Sequence, residues 1–137
     1  MYRQMMVPVD LEHVSGLEKA LTTAADLARH YGTPVCYVGV TTALPSPVAH
    51  TPEEFEKKLK DFAKGQADKH GLEAATRVYV SHDPTRDLDG TLLKAIEEIG
   101  ADLVVMSSHR PGFPEHIFAS NAGYVASHAD VSVFVIR

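Results

Sequence analysis

LVVMSSHRPGFPEHIFASNAGYVASHADVSVFVIR, residues Leu103–Arg137, is the stretch that decides how the chain folds. Leu103–Met106 is a near-continuous apolar run, as expected of a strand buried on both faces of a parallel sheet. A polar loop follows, with His109 and Arg110 near its centre. Small residues at Ala119 and Ser120 then open a short helix, Ser120–His128. Val131–Ile136 closes the stretch as a second apolar strand. A strand feeding a loop that ends on a helix N-terminus is the arrangement by which α/β proteins hold phosphate groups.

The same alternation runs upstream. Arg3–Val9 predicts a strand stopped by Asp10. Val14–Tyr31 predicts a helix, with Leu17, Ala20, Leu21, Ala24, Ala25, Leu27 and Ala28 at helical spacing and Gly32 as its stop. Val35–Thr41 is rich in β-formers. A loop with Pro45 and Pro47 leads to a helix capped by Thr51, with Pro52 at its first position and Glu54 at its third. Phe55, Leu59, Phe62, Ala63 and Ala67 form the apolar face of that helix, and Gly71 ends it. Thr76–Ser81 predicts a third strand. Asp87–Ile99 predicts a third helix, with Leu88, Leu92, Leu93, Ala95, Ile96 and Ile99 inward and Gly100 after it. Five strands separated by helices imply right-handed crossovers and a single α/β domain over residues 1–137 built on a parallel sheet.

Composition agrees and narrows the function. The chain has 137 residues, 45% of them hydrophobic, enough for one compact core. The net charge of -5 argues against non-specific nucleic-acid binding, which rests on clustered Lys and Arg. Lys57, Lys58, Lys60 and Lys64 are interleaved with Glu53, Glu54, Glu56 and Asp61, the pattern of a solvated helix face. The one cysteine, Cys36, lies in an apolar run and reads as a buried small hydrophobe in a reducing compartment. No apolar run approaches the roughly 20 residues of a membrane span. The expected location is the cytoplasm, with no membrane partner.

In open parallel sheets, ligands sit outside the carboxyl ends of the strands. Those ends supply the candidates. Asp10 can accept bonds from ribose hydroxyls, or serve only as a helix cap. Gly39 and Val40 can offer main-chain groups to a purine edge, or Gly39 can serve a close helix contact. Ser107, Ser108, His109 and Arg110 form a donor-rich loop suited to phosphate oxygens. Ala119, Ser120 and Asn121 open the last helix, where backbone N–H groups and the helix dipole favour an anion. The eight histidines are dispersed and predict no metal site. No nucleophile–base pair is evident, so no catalytic residue is expected.

These residues bring a resemblance into view. Met6-Val7-Pro8-Val9-Asp10, Val38-Gly39-Val40 and the tail from Met106 to Arg137 resemble the universal stress protein family over essentially the whole length. The resemblance implies a three-layer α/β/α fold like that of the adenine nucleotide alpha hydrolases, with strand order 3-2-1-4-5. It also implies ATP as ligand, with Mg²⁺ from solution, and a stress-response signalling or adaptor role with an unknown protein partner. Pro8, Val9, Asp10, Gly39 and Val40 would meet adenine and ribose. Met106, Ser107, Ser108, His109, Arg110, Ala119, Ser120 and Asn121 would meet ribose and phosphates. The family signature is Gly-x-x-Gly, nine residues, then Gly-Ser/Thr. Here its glycine positions read Ser107, Arg110 and Ala119, with eight residues between the last two. Ser108-His109-Arg110-Pro111 with Ser120-Asn121-Ala122 is similar to the F/G-type ATP-binding branch. Pro84–Gly90 adds about one helical turn relative to the family, near the rim of the site. The edge strand Val131–Ile136 would hold a homodimer. A nucleotide-independent dimerisation module and a slow ATPase are the alternative functions.

Overall fold

The structure, a computed structural model, describes residues 1–108 and 121–137, with Thr85 described in its backbone only. The elements run β1 (Met5–Pro8), a 3-10 segment (Leu11–Leu17), α1 (Glu18–Tyr31), β2 (Val35–Thr41), α2 (Pro52–His70), β3 (Ala74–Val80), α3 (Pro84–Ile99), β4 (Leu103–Ser107), α4 (Asn121–His128) and β5 (Ser132–Ile136). All strand pairs are parallel, and the sheet order is β3-β2-β1-β4-β5. This is the predicted three-layer α/β/α architecture.

Burial follows from that order. β1 and β2 are buried at every residue, because each has strands on both sides and helices on both faces. The edge strands β3 and β5 have no fully buried run and alternate for most of their length. On one face, Met5, Val7, Val35, Tyr37, Leu103 and Val105 pack under α1 and α2. On the other, Met6, Cys36, Val38, Val40, Val104 and Met106 pack under α3 and α4. Cys36 lies in that second layer, and burial pushes its thiol pKa up, which suits an inert apolar role.

Two helix starts differ from the sequence reading. Residues 11–17 form a 3-10 segment, and the α-helix begins only at Glu18. Asp10 starts that segment by accepting from the Glu12 N–H, so the turn opens three residues before Val14. Its backbone then breaks at His13, where φ is -128° and ψ is 42°. In α3 the helix begins at Pro84 rather than Asp87. Asp83 caps it by accepting from the Arg86 N–H at 3.1 Å, and proline suits the first helical position. The α2 start is as expected: Thr51 accepts from the Glu54 N–H, while the Glu54 carboxylate takes the His50 N–H.

The middle of the sheet is pinned at its amino end by Asp102. Its carboxylate accepts from the Arg3 N–H at 2.9 Å and the Gln4 N–H at 3.1 Å, tying the entry of β1 to the entry of β4. Partial burial pushes its pKa up, but these backbone donors outweigh that, and the net shift is downward. A carboxyl with a depressed folded pKa contributes fully above its ordinary pKa, and the contribution is lost as pH falls through the folded value. Asp102→Ala is therefore expected to cost about 1–2 kcal/mol near pH 7, in line with hydrogen bonds to a charged group. Denaturant unfolding of both proteins at pH 7 and near pH 3 checks this, with the difference shrinking at the lower pH.

Candidate functional site

β2 outruns β1. Among the described residues, the bonding between them ends where the Val9 N–H donates to the Val38 carbonyl at 2.8 Å. β2 continues three residues further, paired on its other side with β3 up to Thr41 and Val80. In a parallel pair, successive residues direct their main-chain groups to opposite neighbours. The Thr41 carbonyl accepts from the Ser81 N–H on the β3 side, at 2.8 Å. Val40, like Val38, therefore turns its N–H and C=O toward the β1 side, beyond the end of that ladder.

A cleft of about 170 Å³ lies at this step. One ordered water needs only about 10–15 Å³ by this kind of measure, so the space suits a ring system. Val9 and Val40 lie at the strand ends that open into it, and Leu11, Val48 and Phe55 add apolar wall. Thr41, Thr42 and Ser46 add hydroxyls, and Asp10 and Glu12 add carboxylates. Pro84, the first residue of α3, also lines the cleft, so the start of that helix lies at its rim.

The wall is set by a close approach. A Cβ at Gly39 would come within 2.5 Å of the Phe55 ring and 3.2 Å of Leu59. Glycine there lets the first turn of α2 lie against β2, which brings Phe55 to the cleft. The loop between them is folded on itself: the Ser46 N–H donates to the Ala49 carbonyl at 2.8 Å, and the Lys58 ammonium donates to the Val48 carbonyl.

Asp10 lies at the carboxyl end of β1 and is only 5% exposed. Its Oδ1 accepts from the Glu12 N–H at 3.0 Å, and its Oδ2 lies 2.8 Å from His13 Nδ1. Asp10, Glu12 and His13 each offer a ligand atom within 4.8 Å of the others. The trio joins one histidine to two carboxylates that are near neighbours in sequence, next to the backbone break at His13.

Of the predicted site residues, the cleft brings together Val9, Asp10 and Val40. Pro8 is the last residue of β1, paired with Val38, and Gly39 lies under Phe55. Met106 is buried in the layer beneath α3 and α4. Ser107 pairs with Ile136, and the Ser108 N–H donates to the Ile136 carbonyl at 2.7 Å. Ser108 Oγ is buried and has no hydrogen-bond partner among the described residues. Asn121 is 8% exposed and donates its side-chain amide to the Asp89 carboxylate on α3. His109, Arg110, Ala119 and Ser120 lie outside the described residues. Thr41 ends β2 and Pro84 opens the segment expected near the rim, and both line the cleft; Leu11, Glu12, Thr42, Ser46, Val48 and Phe55 were not anticipated. Thr42 directly follows the end of β2, so only proximity to the strand-end residues pointed to it.

The fold and the cleft define an open parallel α/β protein with its ligand-sized space at the carboxyl ends of adjacent strands. The model of the universal stress protein family matches residues 1–137, and the chain belongs to that family. It is 28% identical to universal stress protein G of Shigella flexneri over 148 residues, with both chains fully covered. A universal stress protein structure from Archaeoglobus fulgidus superposes with a TM-score of 0.71 at 25% identity, again covering all of both chains. A structure of the universal stress protein from the same organism in complex with dAMP gives 0.67 at 24% identity, covering 99% of this chain and 98% of that one. Among the described residues, no helix is long and apolar enough to cross a membrane.

Proposed function

We propose that this chain binds ATP at the carboxyl ends of β1, β2 and β4, and serves as a cytoplasmic stress-response signalling or adaptor module. One observation carries the reading: the buried Asp10 carboxylate sits beside the turned-out main chain of Val40 in a largely apolar cleft. Adenine would lie between Val9 and Val40 and pair with the Val40 main chain. Asp10 would take a ribose hydroxyl. Pro8 and Gly39 would act as the backbone around the base. The phosphates would run toward Met106, Ser107, Ser108, His109 and Arg110, and toward Ala119, Ser120 and Asn121 at the start of α4. The dAMP complex of the Archaeoglobus fulgidus relative supports an adenine nucleotide as the ligand class. Mg²⁺ would arrive with the phosphates and supply charge neutralisation. No catalytic residue is assigned, and slow ATP hydrolysis remains the enzymatic alternative.

The second reading is a nucleotide-independent dimerisation module. Ser107, Arg110 and Ala119 favour it, standing where the family signature has glycine. Calorimetric titration separates the two. The ATP reading expects saturable binding, weakened by about 1–3 kcal/mol in Arg110→Ala, the range for losing a hydrogen bond to a charged group. A flat wild-type titration favours the second reading, and an unchanged Arg110→Ala affinity removes the role given to that residue.

Both readings include a homodimer through Val131–Ile136. β5 is a sheet edge whose Phe134 is 45% exposed, and a bare apolar edge invites pairing with another chain. Sedimentation equilibrium at micromolar concentration is expected to give a dimer, and Phe134→Glu to shift it toward monomer. A wild-type monomer would contradict this assembly.

A further inference from the structure

Capping alone does not account for how Asp10 is held. As the cap of the 3-10 segment it needs only the bond from the Glu12 N–H to Oδ1. A second contact, from His13 Nδ1 to Oδ2 at 2.8 Å, engages the other oxygen. The contact coincides with a backbone break at His13. His13 keeps its N–H on the Asp10 carbonyl at 3.1 Å, its φ of -128° and ψ of 42° leave the helical region, and its Nδ1 lies against the carboxylate. The ring side chain is 25% exposed, whereas that of Asp10 is 3% exposed, so His13 lies on the outer side of the carboxylate.

A contact on each oxygen, from Glu12 and from His13, restricts rotation about the Cβ–Cγ bond. A carboxylate whose plane is fixed presents its acceptor directions to the cleft in one orientation, and a hydrogen bond weakens steeply off its preferred angle. We infer that His13 is a positioning residue for the ligand sugar: it sets the plane of the Asp10 carboxylate so that Asp10 distinguishes a ribose from a deoxyribose. The inference rests on the reading that the cleft takes an adenine nucleotide with its sugar at Asp10. It predicts that His13 acts on sugar discrimination rather than on binding in general.

The test titrates ATP, 2′-deoxy-ATP and 3′-deoxy-ATP into four full-length proteins: wild type, Asp10→Ala, His13→Ala and His13→Asn. Wild type is expected to prefer ATP over at least one deoxy analogue, and Asp10→Ala to abolish that preference. His13→Ala should cut the preference by roughly fivefold or more, the worth of one hydrogen bond of about 1 kcal/mol, while affinity for the deoxy analogue changes by less than about twofold. His13→Asn should restore much of the preference, because its amide nitrogen stands near the place of Nδ1. If Asp10→Ala abolishes the preference and His13→Ala leaves it intact, the role of His13 is overturned and the nucleotide reading survives. If both His13 variants weaken all three ligands equally, His13 is only structural and the inference is again overturned. Absence of ATP binding by wild type, or of any sugar preference, removes the sugar contact at Asp10 and the inference with it.

Discussion

The unequal length of two adjacent parallel strands is the constraint on which the rest depends. β1 stops bonding β2 at Val9, while β2 runs on to Thr41 because β3 continues to pair with it. The step exposes one main-chain edge of Val40 beside the residue at which β1 turns away. Asp10 must start a new turn there, and a buried carboxylate is tolerable only when its oxygens are engaged. The bonds from Glu12 and His13 engage one oxygen each, with the carboxylate at the edge of the cleft. One irregularity in strand length thus yields an apolar slot, a main-chain edge and a fixed carboxylate together.

The two helical layers then serve the cleft differently. On the α1 and α2 face, Gly39 lets α2 lie close enough for Phe55 to wall the slot, and the loop before α2 closes over it through Ser46 and Val48. On the α3 and α4 face, the early start of α3 brings Pro84 to the rim. Further along the same helix, Asp89 holds Asn121 at the start of α4. α3 therefore touches both the cleft and the helix assigned to the phosphates, a link that no single motif in the chain announces.

Much of this was legible in the sequence because it rests on periodicity. The apolar runs of Val35–Thr41 and Leu103–Met106, and the helical spacing of Leu88, Leu92, Ala95 and Ile96, encode burial directly, and the fold follows from their alternation. Val9, Asp10 and Val40 were legible because ligands in such sheets gather at strand ends. The 3-10 segment was not, since its start depends on one capping bond and its break on the backbone of a single residue. Phe55, Ser46 and Val48 reach the cleft through a loop and a helix contact, and no local pattern encodes where a loop will pack. A close helix contact was one of two readings open for Gly39, and its consequence for Phe55 needed three dimensions.

The central claim is that the step between β1 and β2 is where an adenine nucleotide sits. Its most direct test is a map of backbone amide resonances of the isotope-labelled protein with and without ATP. The account predicts the largest perturbations at Val9, Asp10, Val40, Thr41 and Thr42, with Gly71 and Gly100, at the opposite end of the sheet, unmoved. Perturbations centred elsewhere, or no saturable perturbation with millimolar ATP, would contradict it.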